Sequence, residues 1–245
     1  MIFDLSNLQI FYFLSAAALI GFTKTSVGGV GILAVLLAAL AFPGKASPGI
    51  LLPMLIVADI VAVIYYRRDC QWSILIKLFP ATIIGVVLGF FIVDLAPPEF
   101  FQKLIGAIIL VMLLINLSIE YGGKHQFGGW LVTSFVGIFA GAASMVANAA
   151  GPVFGIFLLQ MGLSKEKFVG TRSWFFLVMN IMKLPFSISL GLITPETLTL
   201  NLYAIPIILA GAWLGIKVLK MINLNMFTWL IRTAVIIAII RLLVF

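Results

Sequence analysis

Charged side chains lie within apolar stretches of the 245-residue sequence, among them Lys24 and Asp59 near the middle of theirs, Lys183, and Arg172 about one turn in. A charge surrounded by hydrocarbon is costly unless it meets a partner, water or a passing ion, so each marks either an internal ion pair or a solute pathway. Lys24 is the sharpest of them. It sits in Gly21-Phe-Thr-Lys-Thr-Ser-Val-Gly-Gly-Val-Gly31, which adds the hydroxyls of Thr23, Thr25 and Ser26 and the bare backbone of Gly28 and Gly29. Non-helical backbone at membrane depth is tolerated only where it is buried in protein or lines a cavity, so this stretch is expected to form a broken helix tip.

A second interruption, Met145-Val-Ala-Asn-Ala-Ala-Gly-Pro152, carries Asn148 and Gly151 and follows Ser144. If a helix restarts after each break, its free N–H groups and positive dipole end point inward and form an anion site. Thr25 or Ser26 would cap the first restart, and Asn148 one opening near Pro152. In this reading Lys24 supplies charge, Thr23, Thr25, Ser26, Ser144 and Asn148 supply hydrogen bonds, and Gly28, Gly29 and Gly151 form the backbone cradle. The plainer alternative is that small and hydroxylated residues only let helices pack closely.

Each charge has a competing role too. Asp59 is either the salt-bridge partner of Lys24 or a proton carrier, and its counterpart Asn180 cannot titrate. Arg172, about one turn into its span, reads as a snorkelling anchor or a gate, and Lys183, just before Pro185, as a substrate contact in an outer vestibule. Arg232 is expected to have an interhelical partner.

The elements that hold these residues are membrane helices. With 63% hydrophobic and 9% charged residues the chain is no soluble globule, whose charged fraction is about 25%. The net charge of +7 comes from Lys and Arg scattered between apolar runs, the pattern of loops kept on one face of a membrane rather than of a nucleic-acid surface. One cysteine, Cys70, and one histidine, His125, exclude a disulfide framework and a Cys/His metal cluster, so no metal or cofactor is expected. The Lys24-Thr25 pair lacks the glycine before lysine and the preceding strand of a phosphate loop, and no hydrolytic triad is visible, so no enzyme is read. The amino terminus has no basic start or cleavage site, and no cleaved signal peptide is expected.

Apolar runs divide into a hairpin at 8–42 and helices at 48–66, 72–93 and 100–119, then a linker at 120–126, a hairpin at 127–161 and helices at 167–190, 199–219 and 225–244. The two hairpin runs, roughly 35 residues each, exceed the ~20 of one crossing. Sliding the chain by 121 residues sets Gly49, Val57, Asp59 and Ile60 on Gly170, Val178, Asn180 and Ile181; sliding by 126 sets Pro80, Gly85, Leu88 and Gly89 on Pro206, Gly211, Leu214 and Gly215. Two halves, 1–119 and 127–245, therefore share one plan. If each hairpin returns to its starting side, Arg67/Arg68, Lys124, Lys165/Lys167 and Lys217/Lys220 all lie inside, with Asp94, Glu99 and Glu196 outside; Lys45 and Arg241 are exceptions. The predicted fold is an all-α polytopic membrane protein of two inverted repeats, each a broken-helix hairpin plus three transmembrane helices, with both termini outside. Inverted repeats with broken helices are the plan of many secondary transporters, whose site lies between the repeats.

The pattern resembles the TauE/SafE sulfite exporter (TSUP) family. The likeness rests on Gly21 through Gly31, the arm ending at Phe42-Pro43, Ala46-Ser-Pro-Gly49, and in the second half Gly141-Ala-Ala-Ser through Pro152 and Gly170-Thr-Arg-Ser. The second tip, Asn148-Ala-Ala-Gly-Pro152, is less glycine-rich than that family's pattern. The resemblance implies a carrier of the bacterial cytoplasmic membrane that exports a small sulfur-containing anion, sulfite or an organosulfonate, coupled to an ion gradient. An anion channel and a permease for a non-sulfur anion are the alternatives. The expected partners are the small anion and the lipid bilayer, with a homodimer left open and no nucleic acid.

Overall fold

The computed structural model describes residues 5–26, 31–42, 44–97, 107, 129–223, 226, 229 and 233. Eight helices occupy this region: α1 (Asn7–Thr25), α2 (Gly31–Ala41), α3 (Ala46–Tyr66), α4 (Trp72–Leu95), α5 (Trp130–Ala147), α6 (Gly151–Gln160), α7 (Lys165–Ser189) and α8 (Pro195–Met221). Among the described residues every regular element is a helix. Gly28, Gly29, Glu99, Lys124, His125, Arg232, Arg241, the linker 120–126 and all but Ala107, Met226, Trp229 and Thr233 of the spans expected at 100–119 and 225–244 lie outside them.

Five helices, α1, α3, α4, α5 and α8, are long and apolar enough to cross a membrane. α2 and α6, with 11 and 10 residues, rise only about 15 Å, half of a ~30 Å hydrocarbon core. α7 has the length at 25 residues but carries Lys165, Glu166, Lys167, Arg172 and Lys183. Large apolar side chains such as Ile64, Ile76, Phe91 and Leu202 face outward, and Arg172 and Lys183 are buried. That inversion suits a molecule whose solvent is lipid, where apolar side chains lose nothing by exposure and charges must turn inward.

Local sequence explains the helix ends. Ser6 and Gln9 form a capping box at the start of α1, Thr194 and Thr197 one at α8, and the Ser164 side chain caps α7. Asn148 adopts φ 53°, a left-handed conformation that asparagine tolerates, and closes α5. It therefore ends the first arm of the second hairpin, and Ala150 takes the N-cap position of α6 where Asn148 was expected.

Two close parallel helix pairs frame the bundle, both built on glycine. A Cβ at Gly85 of α4 would lie 2.0 Å from the Ile138 carbonyl oxygen of α5, and one at Gly141 of α5 would lie 2.3 Å from the Thr82 oxygen. In the other pair a Cβ at Gly211 of α8 would lie 2.3 Å from the Ala18 oxygen of α1, and one at Gly21 would lie 2.0 Å from the Ile208 oxygen. Between the pairs α3 and α7 run antiparallel, Gly49 against Leu192 at one end and Gly170 against Tyr66 and Asp69 at the other.

Basic residues gather at that second end. The Gln71 N–H donates to Thr171 Oγ1 at 2.9 Å, Lys165 Nζ to the Ile222 carbonyl at 2.7 Å, and Lys220 Nζ lies 5.4 Å from the Tyr65 ring. Arg67/Arg68, Lys165/Lys167 and Lys217/Lys220 thus share one end of the bundle. At the other end Gln9 Nε2 donates to the Ala41 carbonyl and Lys45 Nζ to that of Val93.

Candidate functional site

Residues flanking the two breaks line one cavity of about 50 Å³: Thr23, Lys24 and Gly31 from the first hairpin and Ser144, Asn148, Ala149 and Gly151 from the second. α7 closes it with Arg172, Phe176 and Asn180. A single water needs roughly 10–15 Å³ on this scale, so the space suits a ligand of a few heavy atoms.

Lys24 stands at the cavity wall. Its Nζ lies 2.8 Å from Asp59 Oδ1 and 4.1 Å from the centre of the Phe176 ring. Asp59 is fully buried, and its second oxygen accepts from Asn180 Nδ2 at 2.7 Å. The ion pair weighed as the competing role of Lys24 is therefore present, while Lys24 also lines the cavity.

Arg172 does not snorkel. It is 2% exposed, and its Nη2 donates to the carbonyls of Thr23, Lys24 and Ser26. Those carbonyls belong to the last turn of α1, where no intrahelical donor remains, and a cation there also meets the negative end of the helix dipole. Its Nη1 has no partner among the described residues. Lys183 does the same for the other break. It is 1% exposed where a vestibule contact was expected, and its Nζ donates to the Ser144 carbonyl at 3.0 Å, to Ser144 Oγ at 2.8 Å and to Asn148 Oδ1 at 2.6 Å. α7 is thus a strut whose two cations, three turns apart, each seal the C-terminal end of a broken helix.

The remaining expected site residues divide cleanly. Thr25 Oγ1 lies 2.8 Å from the Ala212 carbonyl and ties α1 to α8; Ser26 Oγ donates to the Phe22 carbonyl. Neither lines the cavity, because both hydroxyls complete helix ends and contacts, whereas Thr23, with a 3.3 Å bond to the Ile20 carbonyl, does line it. Asp59 and Lys183 stand one hydrogen bond behind the wall. Asn148 reaches across with Nδ2 to the Pro48 carbonyl at 3.0 Å, and Tyr66 Oη donates to the Thr25 carbonyl at 3.1 Å. Gly151 opens α6 without a side-chain cap, so its N-terminal donors remain available beside the cavity.

Phe176 and Tyr66 were not expected at the site, whereas Gly31 ends the stretch expected to form the first tip. Phe176 lies four residues from Arg172 and from Asn180 and so shares their face of α7, a spacing visible in the sequence; Tyr66, at the end of a span, looks like any interfacial aromatic. Among the described residues no group of three or more His, Cys, Asp or Glu could hold a metal.

Charge decides what such a cavity accepts. Three buried cations, Lys24, Arg172 and Lys183, face one buried carboxylate, Asp59. The helix ends nearly cancel, two C-terminal halves against two N-terminal halves, so the surplus stays positive and favours an anion. Comparison with known proteins points the same way. The family model for the sulfite exporter TauE/SafE matches residues 13–242. No curated protein and no solved structure matches the chain. The match spans nearly the whole sequence, and the chain belongs to the TauE/SafE sulfite exporter family.

Proposed function

We propose that the protein is a secondary carrier of the bacterial cytoplasmic membrane, with both termini outside, that exports a small sulfur oxyanion by alternating access. The observation that carries this reading is the surplus of buried positive charge around a cavity small enough for one oxyanion. Lys24 and Arg172 bind the anion, with Thr23, Ser144 and the uncapped start of α6 adding hydrogen bonds. Asp59 and Asn180 set the position of Lys24, and Lys183 holds the second tip. The volume favours an inorganic oxyanion such as sulfite over an organosulfonate.

Alternating access needs two halves that can exchange roles, and the contacts support an inverted duplication. The Gly85–Ile138 and Gly141–Thr82 approaches recur as Gly211–Ala18 and Gly21–Ile208, the same pairs after exchange of the halves. Asp59 and Asn180, 121 positions apart, bond to each other, as equivalent residues do near a two-fold axis. The gathering of basic residues at one end fits a cytoplasmic face.

The test is counterflow. Proteoliposomes preloaded with unlabelled sulfite should transiently accumulate labelled sulfite from outside, with saturable kinetics. Flux that never saturates and shows no exchange would make the protein a channel.

A further inference from the structure

Two residues that line the cavity each carry a buried polar atom with no partner among the described residues, and the two atoms are of opposite kind: Arg172 Nη1 is a donor and Asn180 Oδ1 an acceptor. The orientation of the Asn180 amide follows from chemistry. Its Nδ2 must face Asp59, because an ionised carboxylate only accepts, and the 2.7 Å bond leaves Oδ1 pointing elsewhere. Asn180 is 1% exposed and lines the cavity. A buried acceptor left without a donor carries a desolvation penalty.

A fully deprotonated oxyanion offers only acceptors. It would satisfy Lys24, Arg172 Nη1 and the start of α6, and would place its oxygens against a second lone pair at Asn180. An oxyanion that keeps one O–H satisfies all of them at once. Resting on the carrier reading above, we propose that the site selects a monoprotonated oxyanion, hydrogensulfite in its O–H form, which donates to Asn180 Oδ1 while its other oxygens accept from Lys24 and Arg172. A proton then crosses the membrane on the cargo itself, and Asp59, pinned by Lys24 and Asn180, need not release one. Asn180 is on this account a specificity-determining residue, a role that its inability to titrate does not suggest.

The charged and titratable groups around this point are Lys24 from α1, Asp59 and Tyr66 from α3 and Arg172 and Lys183 from α7; α2, α5 and α6 contribute none among the described residues. Any of them could impose a pH dependence of its own, so the experiment needs an anion that does not protonate near neutral pH. Binding of sulfite and of sulfate to the purified full-length protein is measured by calorimetry on both sides of the second ionisation of sulfite. Sulfite affinity should fall about tenfold per pH unit above that ionisation, and sulfate should bind roughly ten- to hundredfold more weakly with a flat profile. In Asn180→Leu the preference for sulfite over sulfate should collapse. Sulfite binding that ignores its ionisation, or sulfate following the same slope, overturns the proposal. Equal binding of both anions with intact counterflow would remove the donor requirement and leave the carrier reading standing, whereas absence of binding and of counterflow would remove both.

Discussion

Substituting alanine at the glycines of the two close helix pairs separates what holds the bundle from what serves the cavity. A Cβ at Gly85 would sit 2.0 Å from the Ile138 oxygen, and at its counterpart Gly211 2.3 Å from the Ala18 oxygen. Carbon–oxygen contacts of this kind settle near 3.3–3.6 Å, so each pair must part by more than ~1 Å along a backbone that cannot turn aside as a side chain can. Overpacking of this order costs about 1–3 kcal/mol, or roughly 2–12 °C in melting temperature for a chain of this size. At Gly31 the nearest atom to an added Cβ is Thr23 Oγ1 at 3.5 Å, an ordinary contact. Gly31→Ala should therefore melt like the wild type or slightly higher: Gly31 opens α2, and alanine there restricts the unfolded chain, a gain of about 0.4–1 kcal/mol. Its methyl group would, however, narrow the cavity that Gly31 lines, and sulfite uptake should fall. Thermal unfolding in detergent and uptake by proteoliposomes are the paired assays. An unchanged melting temperature in Gly85→Ala and Gly211→Ala, or a Gly31→Ala variant destabilised as they are, would refute this division between bundle and cavity.

Two further outcomes follow from single side chains. Thr25→Val removes the hydroxyl that meets the Ala212 carbonyl without touching the cavity, so it should lower stability by about 1 kcal/mol in thermal unfolding while sulfite uptake is retained. Cys70, between α3 and α4, has its thiol pushed up to about 11 from an ordinary 9.0 by burial. A raised thiol value means less thiolate at any lower pH, so maleimide labelling at neutral pH should run about a hundredfold slower than for a free cysteine and rise with pH towards that value; rapid labelling at neutral pH in the native protein would contradict it.

The broken helices were legible because two apolar runs of roughly 35 residues exceed one crossing and are interrupted near their middles by small and polar residues, and Gly85 and Gly211 were legible as repeat mates. What those glycines approach was not: nothing local says that Gly85 faces Ile138. Arg172 shows the limit most clearly. One turn into a span, an arginine has lipid headgroups within reach, and only the arrival of the α1 tip beside it, set by the packing of α1 on α8, turns it inward. Thr25 is the reverse case, a hydroxyl at a tip that the approach of α8 takes up. Asn148 was placed on the correct break but on the wrong side of it, because a cap is decided by which residue takes the left-handed turn. Asp59 and Asn180 matched as repeat mates in the sequence, whereas their direct bond needed the antiparallel crossing of α3 and α7.

In the proposed carrier Lys24 faces two ways, to Asp59 for the fold and to the anion for transport. Lys24→Met and Asp59→Leu, singly and together, read by melting and by labelled sulfite uptake, test it most directly. Breaking a buried pair leaves one charge uncompensated and costs about 3–5 kcal/mol, whereas replacing both partners by apolar residues is often neutral. Both single variants should be destabilised, and the double variant should regain most of the wild-type stability while its sulfite uptake stays abolished. A double variant that is stable and transports sulfite at the wild-type rate would reduce Lys24 to a structural partner of Asp59 and remove it from the anion site.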